Sequence, residues 1–186
     1  MPNSKQILRK TILKQRRSLQ QEEWQKKSQQ ICDRISDLTE FSAAKTILAY
    51  FSFRQEPDLS ALFTLPVRWG FPRCVDSSLI WHLWKPEEML QTGKYGILEP
   101  LSTAITINPE EVDLILVPTV ACDRQGYRLG YGGGFYDRLL SLPEWMDIPT
   151  VGVVFNFAYL SQIPADSWDI KLNYICTELT CDRIDF

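Results

Sequence analysis

Residues 113–118 read DLILVP, four apolar side chains in a row closed by a proline. A run with no polar alternation cannot put one face in water. It predicts a strand buried on both faces, as in parallel sheets. Similar short apolar runs stand at 45–51 (KTILAYF), 67–75, 79–84 (LIWHLW), 149–155 (PTVGVVF) and 173–177. Helical segments fit at 58–63, 86–90 and 134–141. Strands of this kind separated by helices predict an α/β fold: a mostly parallel central sheet with helices on both faces. Ahead of it, Ser4 is placed to cap a helix running to Arg17, with a narrow stripe of Ile7, Leu8 and Ile12. Ser18 to Gln21 reads as a weak capping box. The helix it would start carries Trp24, Ser28, Ile31, Ile35 and Leu38 on one face. These two helices predict an N-terminal helical hairpin. No repeat, low-complexity segment or linker divides the chain, so a single domain over residues 1–186 is expected.

Composition removes several classes of function. The net charge of −3 gives no whole-chain argument for a nucleic-acid binder. One cluster departs from that average: Lys5, Arg9, Lys10, Lys14, Arg16 and Arg17 lie within a stretch that has no acid. Such a helix either binds a polyanion or presents a solvated face. The five cysteines include no C-x-x-C pair and His82 is the single histidine, which argues against zinc. The odd cysteine count and an N-terminus without an apolar core point to a reducing, cytoplasmic setting. No apolar run approaches the roughly 20 residues that span a bilayer, so no membrane role is expected. His82, Trp81 and Trp84 read as strand and packing residues, and Cys122, with no histidine beside it in sequence, as an inert small one.

Two loops follow predicted strands. Residues 52–58 (SFRQEPD) leave the first strand, and a long loop, from 119 to about 133, leaves DLILVP. Ligands of parallel sheets bind at the carboxyl ends of strands, so the two loops are expected to face one crevice. The second loop ends in RLGYGGGFYDR at 128–138, with four glycines within five positions. Glycine costs conformational entropy, and a turn does not need so many. Strand, long loop, glycine cluster and helix in that order suit a phosphate site. Backbone N–H groups and a helix N-terminus would face the anion, and Arg128 would add a charged donor fork. The alternative is a glycine-rich turn with no ligand. The P-loop pattern is absent, because Phe135 and Tyr136 follow the last glycine. The dinucleotide pattern fails at Phe135.

The segment D-R-Q-G-Y-R-L-G-Y-G-G-G-F-Y-D, through Asp123, Gly126, Arg128, Leu129, Gly130, Gly132, Gly134, Phe135, Tyr136 and Asp137, resembles the signature of the 5-formyltetrahydrofolate cyclo-ligases, also called 5,10-methenyltetrahydrofolate synthetases. Three more segments resemble that family in order and spacing: Lys5 to Arg9 (KQILR), Ser52 to Glu56, and 93–100 (GKYGILEP). The resemblance implies an ATP- and Mg²⁺-dependent ligase. The formyl oxygen of 5-formyltetrahydrofolate would take the γ-phosphate, the 10-nitrogen would attack the activated carbon, and 5,10-methenyltetrahydrofolate, ADP and phosphate would be released. It implies ATP contacts at Lys5, Gln6, Ile7, Leu8 and Arg9 and at Arg128, Leu129, Gly130, Tyr131, Gly132, Gly133, Gly134, Phe135 and Tyr136. Reduced-folate contacts are implied at Phe51, Glu56, Tyr95, Tyr131, Gly132, Gly133, Gly134 and Phe135. Magnesium ligands are implied at Asp137 and Asp169.

Lys5 and Arg9 lie four apart and so share a helical face. A carboxylate at Glu56 suits the amino and N–H donors of a pterin. Tyr95 between Gly93 and Gly96 suits a lid over the folate. For Asp137 the competing role is pairing with Arg138 or capping, for Asp169 an N-cap, for Glu56 an ordinary surface position, and for Phe51 the core. Some members of the family it resembles carry basic residues at the positions of Tyr131 and Gly133, which here hold none; the YGGG form also occurs in that family and is not read as inactivating. A monomer is expected. The competing functions are a non-catalytic module that binds a nucleotide or phosphometabolite and, less favoured at a pI of about 5.3, an RNA-binding protein.

Overall fold

The computed structural model describes residues 4–185. Three helices come first: α1 (Ser4–Arg17), α2 (Gln21–Ser36) and α3 (Thr39–Ala43). The strands are β1 (Thr46–Leu48), β2 (Arg68–Val75), β3 (Ser78–Trp84), β4 (Leu90–Thr92), β5 (Leu98–Pro100), β6 (Leu114–Pro118), β7 (Ala121–Asp123), β8 (Arg128–Leu129), β9 (Thr150–Val153), β10 (Tyr159–Leu160), β11 (Tyr174–Cys176) and β12 (Cys181–Arg183), with α4 (Phe135–Leu140) between β8 and β9. Seven strands form the main sheet in the order β12-β11-β9-β6-β1-β2-β3. Its inner pairs are parallel, and both edges are antiparallel. The mostly parallel sheet expected from the apolar runs is present.

Alternation along β6 explains why those runs are apolar throughout. Leu114 and Leu116 join Ile31 and Ile35 of α2, Phe41 of α3 and Leu62 of a 3-10 turn in one core. Ile115 and Val117 join Ile12 of α1, Leu139 and Leu140 of α4 and Leu129 of β8 in the other. All four β6 side chains are buried, and water reaches neither face of the strand. The first two helices follow one another across a short turn but bury against opposite faces, Ile12 in one core and Ile31 in the other. The two consecutive helices expected at the N-terminus are present, and each packs into a different core. Among the described residues no helix is long and apolar enough to cross a membrane.

Several local expectations are corrected. Ser18 does not cap α2: its hydroxyl donates to the Gln15 carbonyl at the end of α1 (2.7 Å), and the N-cap of α2 is Gln20, which makes no side-chain cap bond. Ser4 is already helical, so the cap of α1 lies outside the described residues. The helix expected at 86–90 is absent. The Glu88 carboxylate accepts the Lys85 amide, Glu87 takes a positive φ of 78°, and the chain enters β4. Residues 58–63 give only a short 3-10 turn, Ser60–Thr64. The long loop from 119 to 133 is partly regular. Asp123 accepts the amides of Gln125 and Tyr127, and that turn folds β7 against β8. With β10 these form a small separate sheet.

Candidate active site

The strands β1 and β6 are neighbours, and the chain proceeds from them in opposite directions, to β2 and β3 on one side and to β9 and β11 on the other. This is the point of an α/β sheet where a crevice opens at the carboxyl ends. The loop 52–58 leaves β1 there, and Pro118 closes β6 there. Two cavities meet at this place. The loops expected to share a crevice do so, since Glu56 and Tyr131 line the same cavity.

The first cavity has a volume of about 380 Å³, within the usual range for a small-molecule site. Phe51, Phe53, Leu79, Tyr95, Ile97, Tyr131 and Phe135 give it mostly apolar walls. Phe51 lines this cavity and also stacks on core Phe71 with ring centroids 4.0 Å apart. Tyr95 is exposed at the tip of the β4–β5 hairpin and meets Phe135 edge to face. Glu56 is the surprise. It is no surface residue, with only 4% of its surface exposed. Left-handed backbone at Arg54 (φ 51°) and Gln55 (φ 57°) turns it inward. Its backbone carbonyl accepts Trp24 Nε1 (2.9 Å) and Ser52 Oγ (2.8 Å), and its Oε2 accepts the Phe53 amide (3.0 Å). Burial pushes its carboxyl up to about 7, against the opposing pull of Arg16, the Phe53 amide and the Tyr131 hydroxyl.

Arg16 was hidden by the charge run. It is buried, and its guanidinium donates to the carbonyls of Arg54 (3.2 Å) and Thr119 (3.5 Å) and to the Tyr131 hydroxyl. It thereby joins the loop after β1 to the glycine loop. A signal existed: Leu8, Ile12 and Arg16 follow at spacings of four and share the inward face of α1.

The second cavity is a polar cleft of about 480 Å³ lined by Lys5, Gln6, Arg9, Arg128 to Gly134, Tyr136, Asp137, Trp168 and Asp169. Most of the residues foreseen around a nucleotide therefore meet here. Ile7, Leu8 and Phe135 do not line it: Ile7 is exposed, Leu8 packs on a core, and Phe135 faces the first cavity. Gly132 and Gly134, expected against folate too, are absent from the first cavity. Among the described residues, the amides of 130–134 donate to no protein acceptor in the loop. Gly132 at φ 102° and Gly134 at φ 66° hold conformations that side chains rarely adopt. The helix α4 has only six residues, so its dipole adds less to the cradle than the sequence suggested.

Charges in this cleft are already paired. Lys5 Nζ contacts Asp166 (2.6 Å) and Asp169 (2.5 Å). Burial pulls the ammonium down, and the two carboxylates reverse that and raise it overall. Arg9 Nε donates to the Gly130 carbonyl (2.8 Å). Arg128 donates to the Ile170 carbonyl (2.8 Å) and pairs with Asp137 Oδ1 (2.8 Å). Asp137 does not pair with Arg138, which instead holds the carbonyls of Gly133 and Ser77. Asp169 caps a turn and not a helix, accepting the Asp166 amide (2.7 Å).

Asp137 and Asp169 offer hard oxygens on one cleft beside open amides. That suits magnesium, which takes one or two carboxylates and draws its other ligands from phosphate and water. Among the described residues no group of three or more His, Cys, Asp or Glu forms a self-sufficient metal cage. Cys122 is fully buried with its thiol pushed up to about 12 by burial, as an inert residue would be. His82 sits in β3 with Nδ1 2.8 Å from the Ala104 carbonyl, away from both cavities.

The likeness to known proteins extends over the whole assembly of loops. A family model for the 5-formyltetrahydrofolate cyclo-ligase family matches residues 1–178. A 5-formyltetrahydrofolate cyclo-ligase of Haemophilus influenzae is 30% identical over 90% of this chain and 94% of its own. One from Mycolicibacterium smegmatis is 31% identical over 95% and 94%. The NMR structure of Aquifex aeolicus 5,10-methenyltetrahydrofolate synthetase superposes with a TM-score of 0.87 at 34% identity, covering 98% of this chain and 93% of that one. Its Mycoplasma pneumoniae counterpart superposes with a TM-score of 0.75 at 26% identity, covering 95% and 99%. A signature split between the N-terminal helix, the loop after β1 and the glycine loop, converging on one double cavity, and these likenesses together place the chain in the 5-formyltetrahydrofolate cyclo-ligase family of enzymes.

Proposed function

We propose that this protein converts 5-formyltetrahydrofolate and ATP to 5,10-methenyltetrahydrofolate, ADP and phosphate. One observation carries the reading: Pro118, Gly130, Tyr131, Gly133 and Tyr136 line both cavities. A flat heterocycle in the aromatic cavity and a triphosphate in the polar cleft would therefore meet along these shared residues. The reaction needs that contact. A formyl-amide oxygen is a poor leaving group, and phosphorylation makes it a good one. The protein's part is to position the two groups and neutralise charge.

Each residue then has a task. The aromatic walls at Phe51, Tyr95 and Phe135 flank the pterin, and Glu56 accepts its N–H donors. The open amides of 130–134 cradle phosphate oxygens, with Lys5, Arg9 and Arg128 around them. Asp137 and Asp169 would hold Mg²⁺, whose chemistry here is neutralisation of the phosphate charge. Lys5 and Arg128 rest against these same carboxylates, so on nucleotide entry the cations would turn to phosphate and leave the carboxylates free to hold the metal. The missing basic residues at 131 and 133 put the remaining burden on these cations.

The direct test mixes the protein with ATP, Mg²⁺ and 5-formyltetrahydrofolate and follows the methenyl absorbance together with ADP. Stoichiometric methenyl product and ADP are expected. Folded protein that releases neither would refute the reading.

A further inference from the structure

Tyr136 holds a place that nucleotide contact alone does not account for. Its ring is fixed, with Trp81 edge-on at 6.4 Å and the Arg128 guanidinium 6.0 Å from its centre. Its hydroxyl oxygen is buried and has no hydrogen-bond partner among the described residues. Buried hydroxyls are normally satisfied, because an unmade bond leaves the full cost of removing the group from water. The other two such groups are the indole N–H groups of Trp69 and Trp81, each inside a core. Tyr136 differs from them in lining both cavities, in the wall that the two substrates share.

We propose that Tyr136 is a catalytic residue whose hydroxyl donates a hydrogen bond to the phosphoryl group while that group passes from ATP to the formyl oxygen. The assignment rests on the reading of the two cavities given above. In the step, the formyl oxygen forms a bond to the γ-phosphorus. The bond from phosphorus to the bridging oxygen breaks, and its electron pair leaves with ADP. The Tyr136 proton stays on its own oxygen throughout. A fixed donor in the lining shared by the two cavities, where charge is redistributed, stabilises the transition state. A phenol, with an ordinary pKa of about 10, is protonated at neutral pH, so it serves as an O–H donor and does not act as a base.

The test is Tyr136→Phe, which removes one oxygen and keeps the ring against Trp81. The variant is expected to melt at or above the wild-type temperature, because an unsatisfied group is gone. Its kcat should fall about 10- to 100-fold, with KM for ATP and for folate within about threefold of wild type. Rapid-quench single turnovers should place the loss in ATP cleavage. A kcat within about threefold of wild type, a loss carried by either KM, or a loss confined to ring closure would each overturn the assignment. The outcomes separate the two claims. Wild-type protein that makes no methenyl product defeats the reading of the cavities and this assignment with it, whereas active wild type beside fully active Tyr136→Phe defeats this assignment alone.

Discussion

Glu56 and Asp137 are carboxylates of one double site, yet they sit in opposite settings. Asp137 rests in a cleft where acid and base are matched: Arg128 on Asp137, Lys5 on Asp166 and Asp169. Glu56 lies at the edge of an aromatic cavity with no direct ion pair among the described residues. Arg16 reaches toward it through the Tyr131 hydroxyl, and burial dominates its titration. The difference follows from the ligands proposed for each side. A polyanion that arrives with a divalent cation needs charges that can change partners. A neutral heterocycle needs one acceptor already stripped of water, and such an acceptor is costly while it waits.

Four variants test that contrast, beginning with the largest effect. Asp137→Asn keeps the shape of the side chain but removes the charge from the proposed metal site. We expect kcat/KM to fall about 100-fold or more while the far-ultraviolet circular dichroism is unchanged. Wild-type turnover would remove Asp137 from the site.

Glu56→Gln comes next. Folate KM should rise roughly 10- to 100-fold, the cost of a lost charged hydrogen bond of about 1.5–3 kcal/mol. Stability should move the other way. The folded carboxyl titrates at about 7, above its unfolded value of roughly 4.3, so it binds more protons in the folded state between those limits. Its contribution is present below the unfolded value and is lost as pH rises through about 7. Chemical denaturation should therefore show Glu56→Gln more stable than wild type at pH 8, by about 1–3 kcal/mol. The two should converge toward pH 5. Wild-type folate KM should rise as pH falls below about 7, and a flat profile would break the comparison.

Arg128→Lys keeps the charge and loses the planar fork. We expect KM for ATP to rise about 10-fold with folate KM nearly constant. An equal rise in both would make Arg128 a structural residue shared by the two sides. Gly130→Ala is the mildest. A methyl there meets no protein atom within 4 Å, and Gly130 is not among the glycines with positive φ. Melting should stay within about 0.5 kcal/mol of wild type, and ATP affinity should fall several-fold because the methyl stands where phosphate approaches. Unchanged ATP affinity would mean the glycine serves the turn alone.

Much of this arrangement was readable before any coordinates. Buried strands announce themselves by apolar runs, and DLILVP and KTILAYF fell where β6 and β1 lie. The crevice followed from the loops that leave them. Lys5 and Arg9 could be set on one face by spacing alone. What escaped lies in interactions between distant segments. Arg16 looked like one more cation of a solvated helix, because its partners at Thr119 and Tyr131 are more than a hundred residues away. Strands β7 and β8 are three and two residues long, too short to show a period. The helix expected at 86–90 gave way to a turn held by the side chain of Glu88, a local bond that composition does not reveal. The burial of Glu56 depended on two left-handed residues before it, Arg54 and Gln55, neither of a type that marks such a turn.

The first helix has a consequence for biosynthesis. Lys5, Arg9 and Arg16 are fastened to residues 119, 130, 131, 166 and 169. A ribosome makes the helix well before those partners. Until they emerge, Lys5 and Arg9 lack these partners, and Arg16 has the Arg54 carbonyl alone. The polar cleft cannot close until residue 169 has emerged, so it forms late relative to the helix. Contacts of such long sequence separation slow folding, and they give nascent chains a long interval in which that helix must be shielded.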